Sequence, residues 1–296
     1  MSTVVTKNLS KAYGSATVLK GVNLNLQPGH LYGLLGRNGT GKSTLLTILA
    51  GQNKATGGEL SVFGSSPFDN SAVMDRCVYA GIDNPYPNPW SVGTIVDLAS
   101  RRYPRFDIAR AKEMAGLFGL SEFKKYADLS RGQRSMVGLI VGLCARAELT
   151  LLDEPYLGLD VQNRELFYAL LQEEQRLFPR TLVMATHQLE ELSLVIDEAL
   201  VLAPTGQFVG QLPIDELDDA YRQLTVPRAE VESFLQSLGP GVLSRRDGRT
   251  HSRLLVSVAA LESAEIDQRR ARIDTPQLAA VFEALTESHG AAAPAA

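Results

Sequence analysis

Two rhythms of apolar residues run along this chain. Val22-Asn23-Leu24-Asn25-Leu26 alternates apolar and polar, so residues 3–30 predict antiparallel strands with one face on a core. Leu31-Tyr32-Gly33-Leu34-Leu35, behind the Pro28-Gly29 turn, is continuous and predicts a buried strand. Leu45 to Ala50 predicts a helix stopped by Gly51, Gly57-Gly58 a turn, and Glu59 to Phe63 a further strand. Three prolines in residues 84–90 remove backbone donors, which predicts an ordered loop carrying Tyr86 and Trp90. From about Ser91 to Arg146 the pattern turns helical. Asp107 caps a helix with Ile108, Ala111, Met114, Ala115 and Phe118 on one face, and Ser130 caps another through Met136, Ile140 and Leu143. Leu149–Asp153, Thr181–Thr186 and Ala199–Ala203 predict strands, and Gln162 to Arg176 a helix turning Leu166, Phe167, Leu170 and Leu171 inward. That alternation predicts mainly parallel pairing.

After about residue 211 the pattern changes. Val231, Phe234, Leu235 and Leu238 predict a short helix ended by Gly239. Asp247-Gly248 predicts a hairpin turn between Val242-Leu243-Ser244 and Leu254-Leu255-Val256. Thr275-Pro276 opens a last helix with Leu278, Val281, Phe282 and Leu285 on its apolar side. Arg245, Arg246, Arg249 and Arg253 flank the hairpin tip and read as a solvated face. The expected division is 1–210 with a helical insert at about 84–146, then a small α+β extension at 211–289, then a disordered tail at 290–296.

Gly36-Arg37-Asn38-Gly39-Thr40-Gly41-Lys42-Ser43-Thr44 fits G-x-x-x-x-G-K-[ST], with the strand before it and the helix after it that a phosphate-binding loop requires. Glycines let successive N–H groups point into one nest, where a Cβ would block a phosphate. The helix N-terminus adds donors and partial positive charge. Lys42 can reach the β- and γ-phosphates, and the Ser43 hydroxyl can bind Mg²⁺. The fold class is therefore α/β: a P-loop NTPase core of mainly parallel sheet, with an antiparallel β-subdomain, a helical insert and a small α+β C-terminal extension.

The 296 residues are 45% apolar, enough for one large core and a smaller one. A net charge of −4 argues against a basic nucleic-acid-binding surface, so no nucleic acid is expected as partner. Cys77 and Cys144 sit in unrelated contexts and suggest neither a metal site nor a disulfide framework. No apolar run approaches the roughly 20 residues that span a bilayer. If the protein works at a membrane, another chain supplies the spans.

Leu151-Leu152-Asp153-Glu154-Pro155 ends an apolar strand with two carboxylates. Downstream of a phosphate loop, Asp153 is placed to hold Mg²⁺ and Glu154 to take a proton from an attacking water. Tyr13, in Lys11-Ala12-Tyr13-Gly14-Ser15, is an aromatic that could stack on a purine. Leu129-Ser130-Arg131-Gly132-Gln133 is the most diagnostic stretch. With it the chain resembles the ATP-binding subunits of ABC transporters, whose signature is Leu-Ser-Gly-Gly-Gln. Arg131 is the one departure; Ser130, Gly132 and the helix start can still meet a phosphate.

The resemblance covers about residues 3–210 and implies single roles. Tyr13 matches the aromatic that stacks on adenine. Ser130, Gly132 and Gln133 match the stretch that contacts ATP held by the opposite subunit. Asp160, in Leu157-Gly158-Leu159-Asp160, matches the aspartate that communicates across the dimer, and His187 the switch histidine near the γ-phosphate. Asp83 stands where the family usually has a glutamine touching Mg²⁺ or water. Residues 84–90 lie where the coupling surface for membrane subunits is built; Tyr86 and Trp90 suit that contact, and Trp90 equally suits packing in the helical subdomain. The resemblance implies an ATPase with ATP and Mg²⁺ as cofactors. It would dimerise with itself or a relative around two ATP and drive a transmembrane permease from the cytoplasmic face of the membrane. The closing helix from Thr275 resembles export-type members. Two other readings are a soluble ABC ATPase acting on ribosomes or DNA, and a non-hydrolysing regulatory module. A single cassette without a coiled-coil insert opposes the first. Intact Lys42, Asp153, Glu154 and His187 oppose the second.

Overall fold

The computed structural model describes residues 2–81, 85–187, 189, 192–264 and 270–290, with the backbone alone at 288–290. In chain order, strands β1 (Val4–Tyr13), β2 (Ala16–Leu26) and β3 (Leu31–Leu35) precede helix α1 (Lys42–Leu49). Then come β4 (Gly57–Val62), α2 (Ser71–Met74), β5 (Cys77–Gly81), α3 (Val92–Arg102), α4 (Ile108–Leu117) and α5 (Arg131–Cys144). β6 (Leu149–Asp153), α6 (Val161–Leu177), β7 (Thr181–Thr186), β8 (Glu198–Leu202) and β9 (Phe208–Pro213) follow. The chain continues with α7 (Leu217–Ala220), β10 (Tyr221–Pro227), α8 (Val231–Leu238), β11 (Val242–Asp247) and β12 (His251–Ser257). It closes with α9 (Val258–Ser263), β13 (Arg272–Asp274) and α10 (Leu278–Gly290).

The strands form three sheets, ordered β2-β1-β4, β5-β6-β7-β3-β8-β9 and β11-β12-β10-β13. The central sheet is parallel from β5 to β8, and β9 joins antiparallel. Every residue of β3, β6 and β7 is buried, as strands covered on both faces require. Tyr32 and Leu34 face a core shared with α1 and the sheet of β1 and β2. Leu31 and Leu35 face the other core, which takes in α3 to α6 and α10. The third sheet has its own core of Leu224, Val226, Val231, Phe234, Leu254 and Val256. Cys77 and Cys144 are free and buried, and burial pushes both thiols up to about 12.

Several expectations change. Gly57 and Gly58 lie inside β4 rather than in a turn. Gly58 has φ 81°, and a Cβ there would fall 2.4 Å from the Asn8 carbonyl oxygen, so the glycine marks close approach to an irregularity in β1. Ile108 stays 44% exposed while the rest of its expected face is buried. Tyr86 and Trp90 are half-buried against the helical core, and Tyr86 meets Tyr126 edge-on at 5.6 Å. They are not the exposed aromatics that a docking surface would need. Asp83, Asn84 and the tail 291–296 lie outside the described residues.

Candidate functional site

Three neighbouring strands of the central sheet deliver the site at their carboxyl ends. β3 runs into the glycine loop, β6 ends on Asp153, and β7 ends on Thr186 before His187. Parallel register sets Asp153 opposite Ala185 and Leu35 opposite Thr186, so the three ends are level. In open α/β sheets this edge is where ligands bind.

The loop's glycines do different things. A Cβ on Gly36 would fall 2.4 Å from the Thr40 hydroxyl, which is folded back to donate to the Arg37 carbonyl at 2.9 Å. Gly41, at φ 97°, sits against Leu19 and Val18 of β2. Only Gly39, at φ 81°, faces open space. Two of the three glycines therefore also answer to packing of the loop on itself and on β2. Gly41 also caps α1 without a side-chain hydrogen bond, so the N–H groups of Ser43 and Thr44 face outward with the helix dipole behind them. Asn38 and Gly39 line a cavity of about 460 Å³ with Arg37, His187 and Pro204.

The Lys42 ammonium is buried, donates to the Gly36 carbonyl at 2.9 Å and lies 3.6 Å from Glu154. Asp153 accepts from the Tyr79 hydroxyl at 3.0 Å through Oδ2. Burial pushes its pKa up, against the Ser43 and Tyr79 hydroxyls. Its Oδ1 is buried with no hydrogen-bond partner. Among the described residues no group of three or more His, Cys, Asp or Glu could hold a metal ion. One carboxylate oxygen in want of a partner beside a serine hydroxyl does fit Mg²⁺, which takes most of its ligands from phosphates and water.

Glu154 adopts φ 47°, a left-handed backbone that side chains other than glycine seldom occupy. Its N–H donates to the Ala185 carbonyl at 3.1 Å. Its carboxylate lies 3.0 Å from His187 Nδ1 and accepts from the Tyr156 hydroxyl at 2.8 Å. Tyr156 is 1% exposed and shares a second hydrogen bond with the Thr186 hydroxyl. Burial raises the phenol's pKa, so the hydroxyl stays protonated and donates. Tyr79, Tyr156 and Thr186 escape the sequence reading. The one signal was a tyrosine two residues beyond the Asp-Glu pair.

Tyr13 is the last residue of β1 and half exposed; its hydroxyl accepts from Asn53, and the Lys11 ammonium lies 4.6 Å from its ring centre. Ser130 caps α5, and Gln133 returns its side-chain oxygen to the Ser130 N–H at 3.2 Å in a capping box. Lys124 donates to that same oxygen at 2.9 Å. A Cβ on Gly132 would fall 2.3 Å from the Gly158 carbonyl oxygen, so this glycine serves backbone-to-backbone packing. Asp160 caps α6, accepting from Asn163 at 2.9 Å. None of Tyr13, Ser130, Gly132, Gln133 or Asp160 lines the cavity at the glycine loop.

The ABC transporter family matches residues 19–157. The ABC transporter ATP-binding protein YtrB of Bacillus subtilis is 31% identical over 215 residues, 73% of each chain. The chain belongs to the ATP-binding subunits of ABC transporters. The aliphatic sulfonates import ATP-binding protein SsuB 3 of Pseudomonas savastanoi is 32% identical over 241 residues, 81% of this chain and 84% of that one. A dimeric ATP-binding cassette solved in a post-hydrolysis state with ADP and Pi shares the fold. Its TM-score is 0.62 at 24% identity, covering 71% of this chain and 98% of that one. The chain is thus an ATP-binding ABC ATPase. Among the described residues no helix is long and apolar enough to cross a membrane.

Proposed function

We propose that this ABC ATPase dimerises around two ATP molecules and drives a separate membrane permease. The observation that carries the reading is the convergence of Lys42, Asp153, Glu154 and His187 at three adjacent strand ends. Gly36 to Thr44 wrap the phosphates, with Lys42 exchanging its carbonyl and Glu154 contacts for phosphate oxygens. Ser43 and Asp153 would hold Mg²⁺, which when bound neutralises phosphate charge. Glu154 accepts the proton of the attacking water, and His187 turns its ring between Glu154 and the γ-phosphate. Tyr13 stacks on adenine with its exposed ring face. Ser130, Gly132 and Gln133 meet the nucleotide of the opposite chain, and Asp160 lies on that interface. Homodimer and heterodimer with a relative both fit this arrangement.

For the permease, a groove of about 640 Å³ between α3 and α4 is lined by Val96, Ala111, Ala115, Leu120 and Phe123. Phe123 is 82% exposed and Ile108 44%. An apolar edge of this kind suits one turn of an amphipathic cytoplasmic helix of the permease, which puts the subunit on the cytoplasmic face of the membrane. Phe123→Asp should abolish copurification of the permease yet leave ATP binding intact; retained copurification would sink this docking site. We carry the division at about residue 210, although α10 packs Leu278, Val281 and Phe282 onto the core that holds Ala199 and Val201. For direction we carry export, on the resemblance of the closing helix to export-type members. ATP-driven uptake into inside-out vesicles would support export, and uptake only into right-side-out vesicles would overturn it.

The composite site is tested with Glu154→Gln. A general base contributes about 10²- to 10⁴-fold, so turnover should fall in that range with ATP affinity kept. Unhydrolysed ATP should then hold the dimer closed by mass action, seen by size-exclusion chromatography with light scattering alone and with any cassette relative. Adding Ser130→Arg should destroy that dimer. A double variant that still dimerises with ATP would refute the arrangement.

A further inference from the structure

The extension carries a second concentration of cations that the ATPase site does not use. All nine basic side chains between residues 221 and 290, histidines aside, are arginine. Five of them, Arg246, Arg249, Arg253, Arg270 and Arg272, line one cleft of about 810 Å³ with His251. Strand register explains why they meet. Arg246 of β11 stands opposite Arg253 of β12, Arg253 opposite Thr225 of β10, and Thr225 opposite Arg272 of β13. Opposed residues share a face, so Arg246, Arg253, Thr225 and Arg272 form one row across all four strands. At a strand spacing of about 4.8 Å the row is about 14 Å long. Alternate residues Leu224, Val226, Leu254 and Val256 point the other way, into the core with α8.

Like charges directly opposite on a sheet destabilise it, yet Arg246 and Arg253 are placed so. Their neighbours relieve this only in part. Arg246 pairs with Glu283 of α10, Arg270 with Glu230 and Arg272 with Asp274. The Arg246 and Arg272 pairs are solvent-exposed, hence weak and exchangeable. Among the described residues Arg249 and Arg253 have no ion-pair partner. Asp247, the one acid among the described lining residues, is turned to Arg245 and Ser252 and held down to about 2 by Arg245. The cleft is thus a concave positive site on a chain of net charge −4.

We propose that this cleft binds a soluble polyvalent phosphate anion, such as a nucleoside polyphosphate or a short polyphosphate. Guanidinium forks match phosphate oxygens two at a time. The volume lies within the roughly 300–1,000 Å³ of small-ligand pockets. Among the described residues the lining carries no tyrosine, phenylalanine or tryptophan, so it lacks the stacking surface of single-stranded nucleic-acid grooves. Those described lining residues offer no large apolar side chain to enter a membrane either. Bound anion would bridge β11, β12 and β13 and draw Arg246 away from Glu283 of α10, which links the cleft to the helix packed on the cassette.

The probe is inorganic tripolyphosphate, titrated calorimetrically into the full chain carrying Lys42→Ala, which weakens the phosphate loop. One binding event should remain, and Arg246→Gln with Arg253→Gln should weaken it at least tenfold. The same pair of substitutions relieves the opposed charges. It should therefore raise the thermal midpoint without anion and cancel the rise that tripolyphosphate gives the Lys42→Ala chain. Retained ATP binding by these substitutions in the Lys42 background of the parent confirms that the chain folds. Failure of the ATP-site reading would show instead as Lys42→Ala leaving ATP binding unchanged. Tripolyphosphate affinity within twofold of the parent in the arginine variant overturns the proposal. So does cosedimentation with anionic phospholipid vesicles, or binding of a short single-stranded RNA, in the absence of tripolyphosphate binding.

Discussion

Removing the Tyr156 hydroxyl tests how Glu154 is held. Tyr156→Phe keeps the ring in its buried place and deletes one donor. The structure gives Glu154 three tethers: Lys42 at 3.6 Å, His187 Nδ1 at 3.0 Å and the Tyr156 hydroxyl at 2.8 Å. In the proposed ATP-bound state the first would be drawn to the phosphates and the second could turn toward them. Tyr156, 1% exposed and anchored to Thr186, cannot leave. It is therefore the fixed tether of a side chain whose backbone sits at φ 47°. A hydrogen bond to a charged group contributes about 1.5–3 kcal/mol, and about 1.4 kcal/mol is a factor of ten in rate. If the tether orients the base in the transition state, kcat should fall about ten- to hundredfold. KM for ATP should stay within about twofold, because the tyrosine does not touch the glycine loop. Phosphate release measured against ATP concentration separates the two constants, and thermal unfolding gives the stability cost. A lowered midpoint with unchanged kcat would refute the positioning role and leave Tyr156 as packing. Restoration of kcat by lowering temperature alone would refute it too, since that marks loss of folded protein.

Gly132→Ala should lower the thermal midpoint, because its Cβ would fall 2.3 Å from the Gly158 carbonyl oxygen and backbone cannot yield cheaply. Overpacking of this kind costs about 1–3 kcal/mol, and an unchanged midpoint in differential scanning calorimetry would contradict the contact. Asp83→Ala should slow hydrolysis while sparing ATP binding if that residue replaces the family's glutamine; turnover equal to the parent, with and without the permease, would return it to an ordinary loop position.

That the glycine loop and the Asp153-Glu154 pair follow strands was legible in the sequence because the loop motif fixes residue type and local spacing together, while His187 was reached through the family resemblance. What the loop glycines do was not legible. Gly36 is set by Thr40 and Gly41 by Leu19, contacts that depend on a fold-back and on a strand some twenty residues earlier. Tyr156 escaped for the same reason, since its partner Thr186 arrives on β7, thirty residues away. Gly57-Gly58 carried a turn signal that the irregularity at Asn8 of β1 overrode. β9 was missed because it is half-buried at every position, which leaves no alternation to read. The third sheet showed its hairpin but not β10 or the three residues of β13. The arginines read as a run along one hairpin; only pairing across β10 to β13 separates Arg245, which faces Glu232, from the row on the opposite face.

The contact between Gly132 and Gly158 joins two parts of the proposed machinery that never share a nucleotide. Gly132 opens α5, whose start is proposed to meet the ATP of the opposite chain. Gly158 lies four residues beyond Glu154, which is proposed to act on the ATP of its own chain. Between them the chain is stiff: the Leu157 N–H donates to the Glu154 carbonyl at 3.1 Å, and the Ser135 hydroxyl of α5 donates to the Leu157 carbonyl at 2.6 Å. Tyr156 stands inside that segment and grips the Glu154 carboxylate. A displacement of α5 by the opposite nucleotide must therefore be taken up by residues 155–158, because backbone packed at this separation has no soft side chain to absorb it. The carboxylate that segment grips is Glu154. In the proposed dimer, hydrolysis in one site would in this way be mechanically answerable to occupancy of the other, through contacts within a single chain. The Gly132→Ala change should consequently slow turnover even in molecules that remain folded and bind ATP.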